Sequence, residues 1–187
     1  MPSPRRGKRP RLALCATLTL DGKLADGPAT LPPEPPRGDA DPARHPWAGL
    51  YAEAAAFLAD DRAETMLPAT GVVRPVIVLG RTVSGAVPDG WQHELQTRLA
   101  ALPEPAVRSR TRVLCFGGAV LFRALLVAGW VDELHLVVSP RIDGRRHAPT
   151  LSGPPGAEFF PASVACRLQR MEVRGNQCFL RYQVARP

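Results

Sequence analysis

Three short segments bring together residue types that can do chemistry. In Thr19-Leu20-Asp21-Gly22-Lys23, a hydroxyl, a carboxylate and an ammonium fall within five residues. Such a set can bind a polar substrate and hold or move a proton. Asp21 and Lys23 are the candidate catalytic pair, and Thr19 is a further substrate contact. The same residues can also be a plain surface turn, because Asp-Gly is turn chemistry. In Gly80-Arg81-Thr82, a guanidinium and a hydroxyl follow the apolar run Val76–Leu79. At the end of a parallel strand they suit a phosphate monoester; an exposed turn is the alternative. In Gly117-Gly118-Ala119, a glycine pair joins an apolar run to a helical pattern. Glycines let backbone N–H groups approach an anion closely, and the helix N-terminus adds partial positive charge. A pyrophosphate is the natural guest, and a tight strand-to-helix turn is the simpler alternative.

The elements that must position these segments follow from hydrophobic period. Leu12 to Ala16, then alternating Thr17, Leu18, Thr19 and Leu20, predict a buried strand over about 11–20. Residues 26–46 are rich in Pro, Gly and charge and predict a long loop. Trp47, Leu50, Tyr51, Ala54, Phe57 and Leu58 recur at three- and four-residue steps and predict a helix over about 47–61. Val76–Leu79 reads as a central strand covered on both faces. A helix over about 92–102 is stopped by Pro103 and Pro105. Arg112–Phe116 reads as a strand, about 120–128 as a helix stopped by Gly129, and 131–139 as a turn leading into a strand. There Asp132 and Glu133 are expected only to mark the passage from helix to strand. Pro140 to Pro155 is a loop carrying Arg141, Arg145 and Arg146. Two final strands, about 164–173 and 178–184, flank the hairpin turn Arg174-Gly175-Asn176. The fold class expected is α/β: a mixed, mostly parallel central sheet flanked by helices, with a C-terminal antiparallel hairpin.

A chain of 187 residues with 45% apolar content suits one domain with one core. Residues 1–10 are expected to be a basic, disordered tail and 11–187 a single domain. No apolar run approaches the roughly 18 residues of a membrane span, and the basic N-terminus lacks a signal-peptide pattern, so a cytoplasmic protein is expected. The formal charge of +7 is concentrated around Arg5–Arg11, Arg108–Arg112 and Arg141–His147. No aromatics interleave with the basic tail, which argues against a nucleic-acid partner; the other two groups could serve phosphate-bearing small molecules. Only Lys8 and Lys23 among the 24 basic residues are lysine, which raises the question of whether position 23 needs a compact ammonium. Cys15, Cys115, Cys166 and Cys178 form no C-x-x-C pair and are expected to be buried free thiols.

Taken in order, these pieces resemble one family. Gly117-Gly118-Ala119 through Leu121, Ala128-Gly129-Trp130-Val131-Asp132-Glu133-Leu134, Ser139-Pro140, Gly144 and Ala148-Pro149-Thr150-Leu151 are similar to the C-terminal half of the reductase domain of riboflavin biosynthesis. That domain is the C-terminal part of a bifunctional deaminase-reductase and is dihydrofolate reductase-like. Leu20-Asp21-Gly22-Lys23-Leu24-Ala25 resembles its first strand and turn, and Pro75 to Thr82 its middle strand. The resemblance implies a homodimer that uses NADPH to reduce the ribosyl group of 5-amino-6-(5-phosphoribosylamino)uracil to a ribityl chain. Under it, Gly117, Gly118 and Ala119 hold the cofactor pyrophosphate, and Gly80, Arg81 and Thr82 lie near its adenosine phosphate. Thr19, Asp21 and Lys23 face a phosphorylated pyrimidine or pterin-like substrate. It implies no metal, and no deaminase-type H-x-E…C-x-x-C pattern occurs. Two departures stand out. Phe116 replaces an acidic residue before the glycine pair, and Leu58–Thr65 lacks the glycines of the family's V-G-x-G-T segment. They leave two further readings open: a same-fold NADPH reductase of a specialised pathway with another substrate, and a non-catalytic dimeric binding module.

Overall fold

Strand β1, Arg11–Leu18, lies between two parallel neighbours, which is why its residues from Leu12 to Thr17 are buried on both sides. The computed structural model describes residues 9–25, 48–61, 74–79, 86–102, 112–157 and 160–185. The long loop expected over 26–46 lies outside them, as do residues 1–8. After β1 come α1 (Ala48–Glu53), β2 (Ala54–Ala59), β3 (Val76–Val78), α2 (Trp91–Ala100), β4 (Arg112–Phe116) and α3 (Ala119–Val127). Strands β5 (Glu133–Val138), β6 (Cys166–Arg174) and β7 (Gln177–Val184) close the chain. The seven strands form one sheet in the order β3-β2-β4-β1-β5-β7-β6. The first five are parallel; β7 runs antiparallel to β5 and to β6. This is the mixed, mostly parallel α/β sheet with an antiparallel hairpin that the sequence pattern predicts.

Two expectations need correction. The helix expected over 47–61 ends at Glu53, and its second half is β2. Ala54–Ala59 pairs with β4 on one side and β3 on the other, so tertiary pairing overrides the helix propensity of an alanine-rich run. Phe57 and Leu58, read as one helix face, point to opposite faces of the sheet and join separate core clusters. Val76–Leu79, read as a central strand, supplies β3, the outermost described strand on its side, and Val76 is exposed. A short apolar run carries no information about whether a second neighbour lies beyond it.

One sheet face is covered by α2 and α3: Trp91, Leu95 and Leu99 meet Leu121, Phe122 and Leu125 over Leu12, Leu14, Val113 and Leu136. α3 ends in a Schellman arrangement. Gly129 adopts φ 68°, its N–H reaches the Leu126 carbonyl, and the Trp130 N–H reaches that of Leu125. The other face packs Ala13, Leu114 and Val137 beneath an aromatic group of Tyr51 from α1, Phe57 and Phe116. At the hairpin, Gly175 takes φ 57°. All four cysteines are free, one on each of β1, β4, β6 and β7, but the expectation that all are buried holds only for Cys15 and Cys115: Cys178 is half-buried and Cys166 is exposed, because β6 has no strand beyond it among the described residues.

Candidate functional site

The C-terminal ends of the parallel strands open on one edge of the sheet. There β1 runs into Thr19, β2 into Asp60, β3 into Leu79 and β4 into Gly117-Gly118. In open α/β sheets this is the edge at which ligands bind. Because β1 pairs with β4, the topology brings the Thr19–Lys23 turn and the Gly117–Ala119 corner onto adjacent strands. Gly80, Arg81 and Thr82 lie outside the described residues.

The turn is tightly internally bonded. The Thr19 hydroxyl donates to Asp21 Oδ1 at 2.6 Å and accepts the Lys23 N–H at 3.0 Å. Asp21 also reaches outward: Oδ1 accepts the Asp143 N–H and Oδ2 the Gly144 N–H, each at 3.0 Å. The Thr19 hydroxyl and then these two amides favour the ionised carboxylate and hold the Asp21 carboxyl well below the usual range. Asp21 thus sits here as an anion that pins the 141–145 loop onto the turn, not as a proton donor. Leu20 N–H to the Arg141 carbonyl (2.7 Å) and Leu24 N–H to that of Pro149 (2.8 Å) reinforce the docking. Lys23 differs. Its backbone bridges to Thr150, yet its half-buried side chain forms no ion pair or hydrogen bond among the described residues. Of the three, Lys23 is the one with its functional group uncommitted.

At the second corner Gly118 is the N-cap of α3, in extended geometry. Its N–H donates to Asp60 Oδ2 at 2.7 Å, and Asp60 is only 2% exposed. Gly117 is needed for packing: a Cβ there would lie 2.7 Å from Leu121 Cδ2. The Gly118 donor is thus taken by a carboxylate of the chain itself, and the Ala119 and Val120 amides are the helix-start donors left without an acceptor among the described residues. Phe116 is fully buried in the aromatic group on the far face, so position 116 offers nothing to a ligand at this edge. Among the described residues no cluster of His, Cys, Asp or Glu could hold a metal ion, and no helix is long and apolar enough to cross a membrane.

The opposite edge of the sheet carries charge of another kind. Asp132 and Glu133, expected only to mark a chain passage, anchor buried ionic networks. Asp132 accepts from the Leu12 N–H and from Arg9, whose guanidinium also lies 5.2 Å above the Trp130 ring. Glu133 meets Arg11 (3.2 Å), Arg112 (3.0 Å), Arg181 (3.1 Å) and His135 Nε2 (3.1 Å). Burial alone would raise its pKa; the His135 hydrogen bond and the neighbouring Arg112 and Arg181 outweigh that and hold it far below the usual range. His135 is pushed down, first by burial and then by Arg181 and Arg112, so the ring is neutral at neutral pH. The signal available in the sequence was two adjacent acids at a buried strand start, with arginines at the starts of two other strands. A shallow cleft lined by Leu50, His135, Arg170, Glu172, Phe179 and Arg181 lies on the sheet face away from α2 and α3, not at the edge holding Thr19 and Gly117.

A mixed, mostly parallel sheet closed by an antiparallel hairpin, with the Thr19–Lys23 turn and the glycine corner at the C-terminal ends of adjacent strands, places the chain in the α/β class. The chain belongs to the RibD C-terminal domain family, whose model matches residues 10–180. RibD of Acinetobacter baumannii is similar in fold (TM-score 0.63, 18% identity); the match covers 96% of this chain and 59% of that longer one. A pyrimidine reductase-like protein of Corynebacterium diphtheriae aligns over 95% of this chain and 93% of its own (TM-score 0.57, 17% identity). The riboflavin biosynthesis reductase Rib7 of Saccharomyces cerevisiae aligns over 98% and 95% (TM-score 0.55, 15% identity). Comparison with curated proteins returned no match.

Proposed function

We propose that the chain is an NADPH-dependent reductase acting on a phosphorylated, ribosylaminopyrimidine-like substrate. The observation that carries this reading is the uncommitted Lys23 ammonium on the strand next to the glycine corner, within a RibD-type domain. Bound NADPH would supply a hydride. Ala119 and Val120 amides would hold its diphosphate, and Arg81 and Thr82, after β3, would meet its adenosine phosphate. Lys23 would bind the substrate's anionic or carbonyl oxygen, with exposed Arg141 beside the turn as a second cation for a substrate phosphate. Asp21 would position both by clamping the 141–145 loop. The chain's task is then alignment of the two reactants.

Calorimetry tests the reading: NADPH is expected to bind in the micromolar range, and Arg81→Ala to weaken NADPH more than NADH, which lacks the extra phosphate. No NADPH binding at millimolar concentration removes it. A second reading, a same-fold reductase of a different substrate, is favoured by the burial of Phe116, which leaves no carboxylate there for the pyrimidine. Turnover of NADPH with a pterin or another heterocycle but not with the ribosylaminopyrimidine phosphate would select it.

The same reading includes a homodimer. Leu168, Met171 and Val173 share one face of β6 with Leu180 and Tyr182 of β7, and all three are exposed. Antiparallel pairing of β6 with a second copy about Met171 would set Arg170 of each copy opposite Glu172 of the other and cover an edge that meets no strand among the described residues. Localisation in the cytoplasm belongs to this reading as well.

A further inference from the structure

Thr17 and Ser139 stand on neighbouring strands at the C-terminal edge of the sheet, Thr17 just before the Thr19–Lys23 turn and Ser139 just past β5. Side chains alternate along a strand, so Thr17 follows Ala13 and Cys15, and Ser139 follows Val137, onto the sheet face that carries α1. Both residues are more than nine-tenths buried, with 6% and 7% exposure. Their main chains are engaged. The Thr17 carbonyl accepts from the Ala25 N–H at 3.1 Å; Ser139 donates to the Leu18 carbonyl and accepts from the Arg141 N–H, each at 2.8 Å. Their hydroxyls are not: neither oxygen has a hydrogen-bond partner among the described residues. Thr19, equally buried and next on the same side of the chain, bonds Asp21 and the Lys23 N–H, so burial at this edge does not by itself deny a hydroxyl its partner.

A buried hydroxyl left unpaired destabilises a fold, and native interiors hold few of them. Here two lie side by side, at the edge of the sheet where ligands bind. We propose that the Thr17 and Ser139 hydroxyls are specificity contacts for the neutral polar edge of a bound heterocycle, an amide-type group with a carbonyl beside an N–H, an inference that rests on the reductase reading for the presence of such a ligand. Each hydroxyl can donate and accept, so the pair matches a group that offers one acceptor and one donor together. Charge on the ligand is met by Lys23 and Arg141, the cations that follow Thr17 and Ser139 in the chain. The carboxamide of nicotinamide and the ring edge of a pyrimidine share this chemistry. A ligand without it leaves both hydroxyls unpaired, so the pair selects against it.

The test uses the full chain with Thr17→Val, which puts a methyl where the hydroxyl was, and Ser139→Ala. Because the hydroxyls bond nothing in the free protein, both variants are expected to melt at or above the wild-type temperature. A clear drop shows that the hydroxyl serves the fold and overturns the proposal. Each variant is expected to weaken binding of the amide-type group about tenfold, the loss of one hydrogen bond. Calorimetry with NADPH and with 2′-phospho-ADP-ribose, which lacks the nicotinamide, reads one source. Weakening confined to NADPH assigns the carboxamide; equal weakening of both overturns the proposal. A rise of about tenfold in KM for the ribosylaminopyrimidine phosphate, at unchanged NADPH affinity, assigns the pyrimidine edge. Wild-type NADPH affinity and wild-type KM in both variants overturn the proposal and leave the reductase reading standing. If no form takes up NADPH, the reductase reading falls, and free nicotinamide and free uracil decide by amide resonances. Shifts at positions 17 and 139 of the wild type that are lost in the variants uphold the hydroxyl pair; no shift overturns it.

Discussion

Lys23 and Asp21 lie two residues apart and do opposite work. Asp21 has used both carboxylate oxygens on the Thr19 hydroxyl and two loop amides, whereas the Lys23 ammonium has no described partner. Removing the ammonium therefore removes a ligand contact and little else. Lys23→Met is expected to raise KM or lower kcat/KM by roughly 10–100-fold, the loss of one charged hydrogen bond. Thermal stability should shift by no more than about 0.5 kcal/mol, as for other substitutions that break no internal contact. Steady-state kinetics alongside a melting curve checks both. Lys23→Arg should recover little, since a planar fork does not replace a compact ammonium. At this scale the sequence was informative about which residues gather but not about what each does. The spacing of Thr19, Asp21 and Lys23 was legible. That Asp21 would face the 141–145 loop, over a hundred residues on, depends on a long-range contact that local pattern does not encode. The segment holding Asp60 stood out only through its missing glycines; the bond from the Gly118 N–H to Asp60 becomes apparent only once β2 is known to lie beside β4.

Among the elements, α3 and the strand before it carry the site. Gly117 is held by sterics: its missing Cβ is the space filled by Leu121, itself part of the packed core. Gly117→Ala is expected to destabilise the domain by about 1–3 kcal/mol through overpacking, measured by denaturant unfolding. A change below a few tenths would show that Leu121 swings aside freely. The boundaries of β1, α2, β4, α3 and the hairpin were readable to within about two residues, because period, glycines and prolines agreed there. The segment 47–61 was not. Alanine carries no period of its own, and Trp47, Leu50, Tyr51, Phe57 and Leu58 fit a helix until β4 claims the second half. Edge position was equally hidden for β3, since three apolar residues look alike at the rim and the centre of a sheet.

For the whole molecule, the two edges of the sheet divide the labour: the C-terminal edge gathers the candidate site, and the N-terminal edge ties β1, β4, β5 and β7 together through Glu133. His135 in that network makes stability depend on pH. Its pKa in the folded state lies below the unfolded value of about 6.5, because burial and two arginines oppose the charged ring. Its contribution is therefore complete above the unfolded pKa and is lost as pH falls from there through the lower folded value. The melting temperature should decline as pH falls below about 6.5, and His135→Gln, which can still donate to Glu133, should flatten that decline. An unchanged pH profile in the variant would assign the decline elsewhere.

The unequal depth of the thiols gives the domain a clock of its own. Cys166 on the outer strand meets solvent directly, whereas Cys15 and Cys115 sit on neighbouring strands at the centre of the sheet, with burial pushing both thiols up. A thiol reagent should modify the first within its ordinary mixing time. The central pair should wait for the sheet to part, so that their labelling rate reads out how often the centre of the molecule opens.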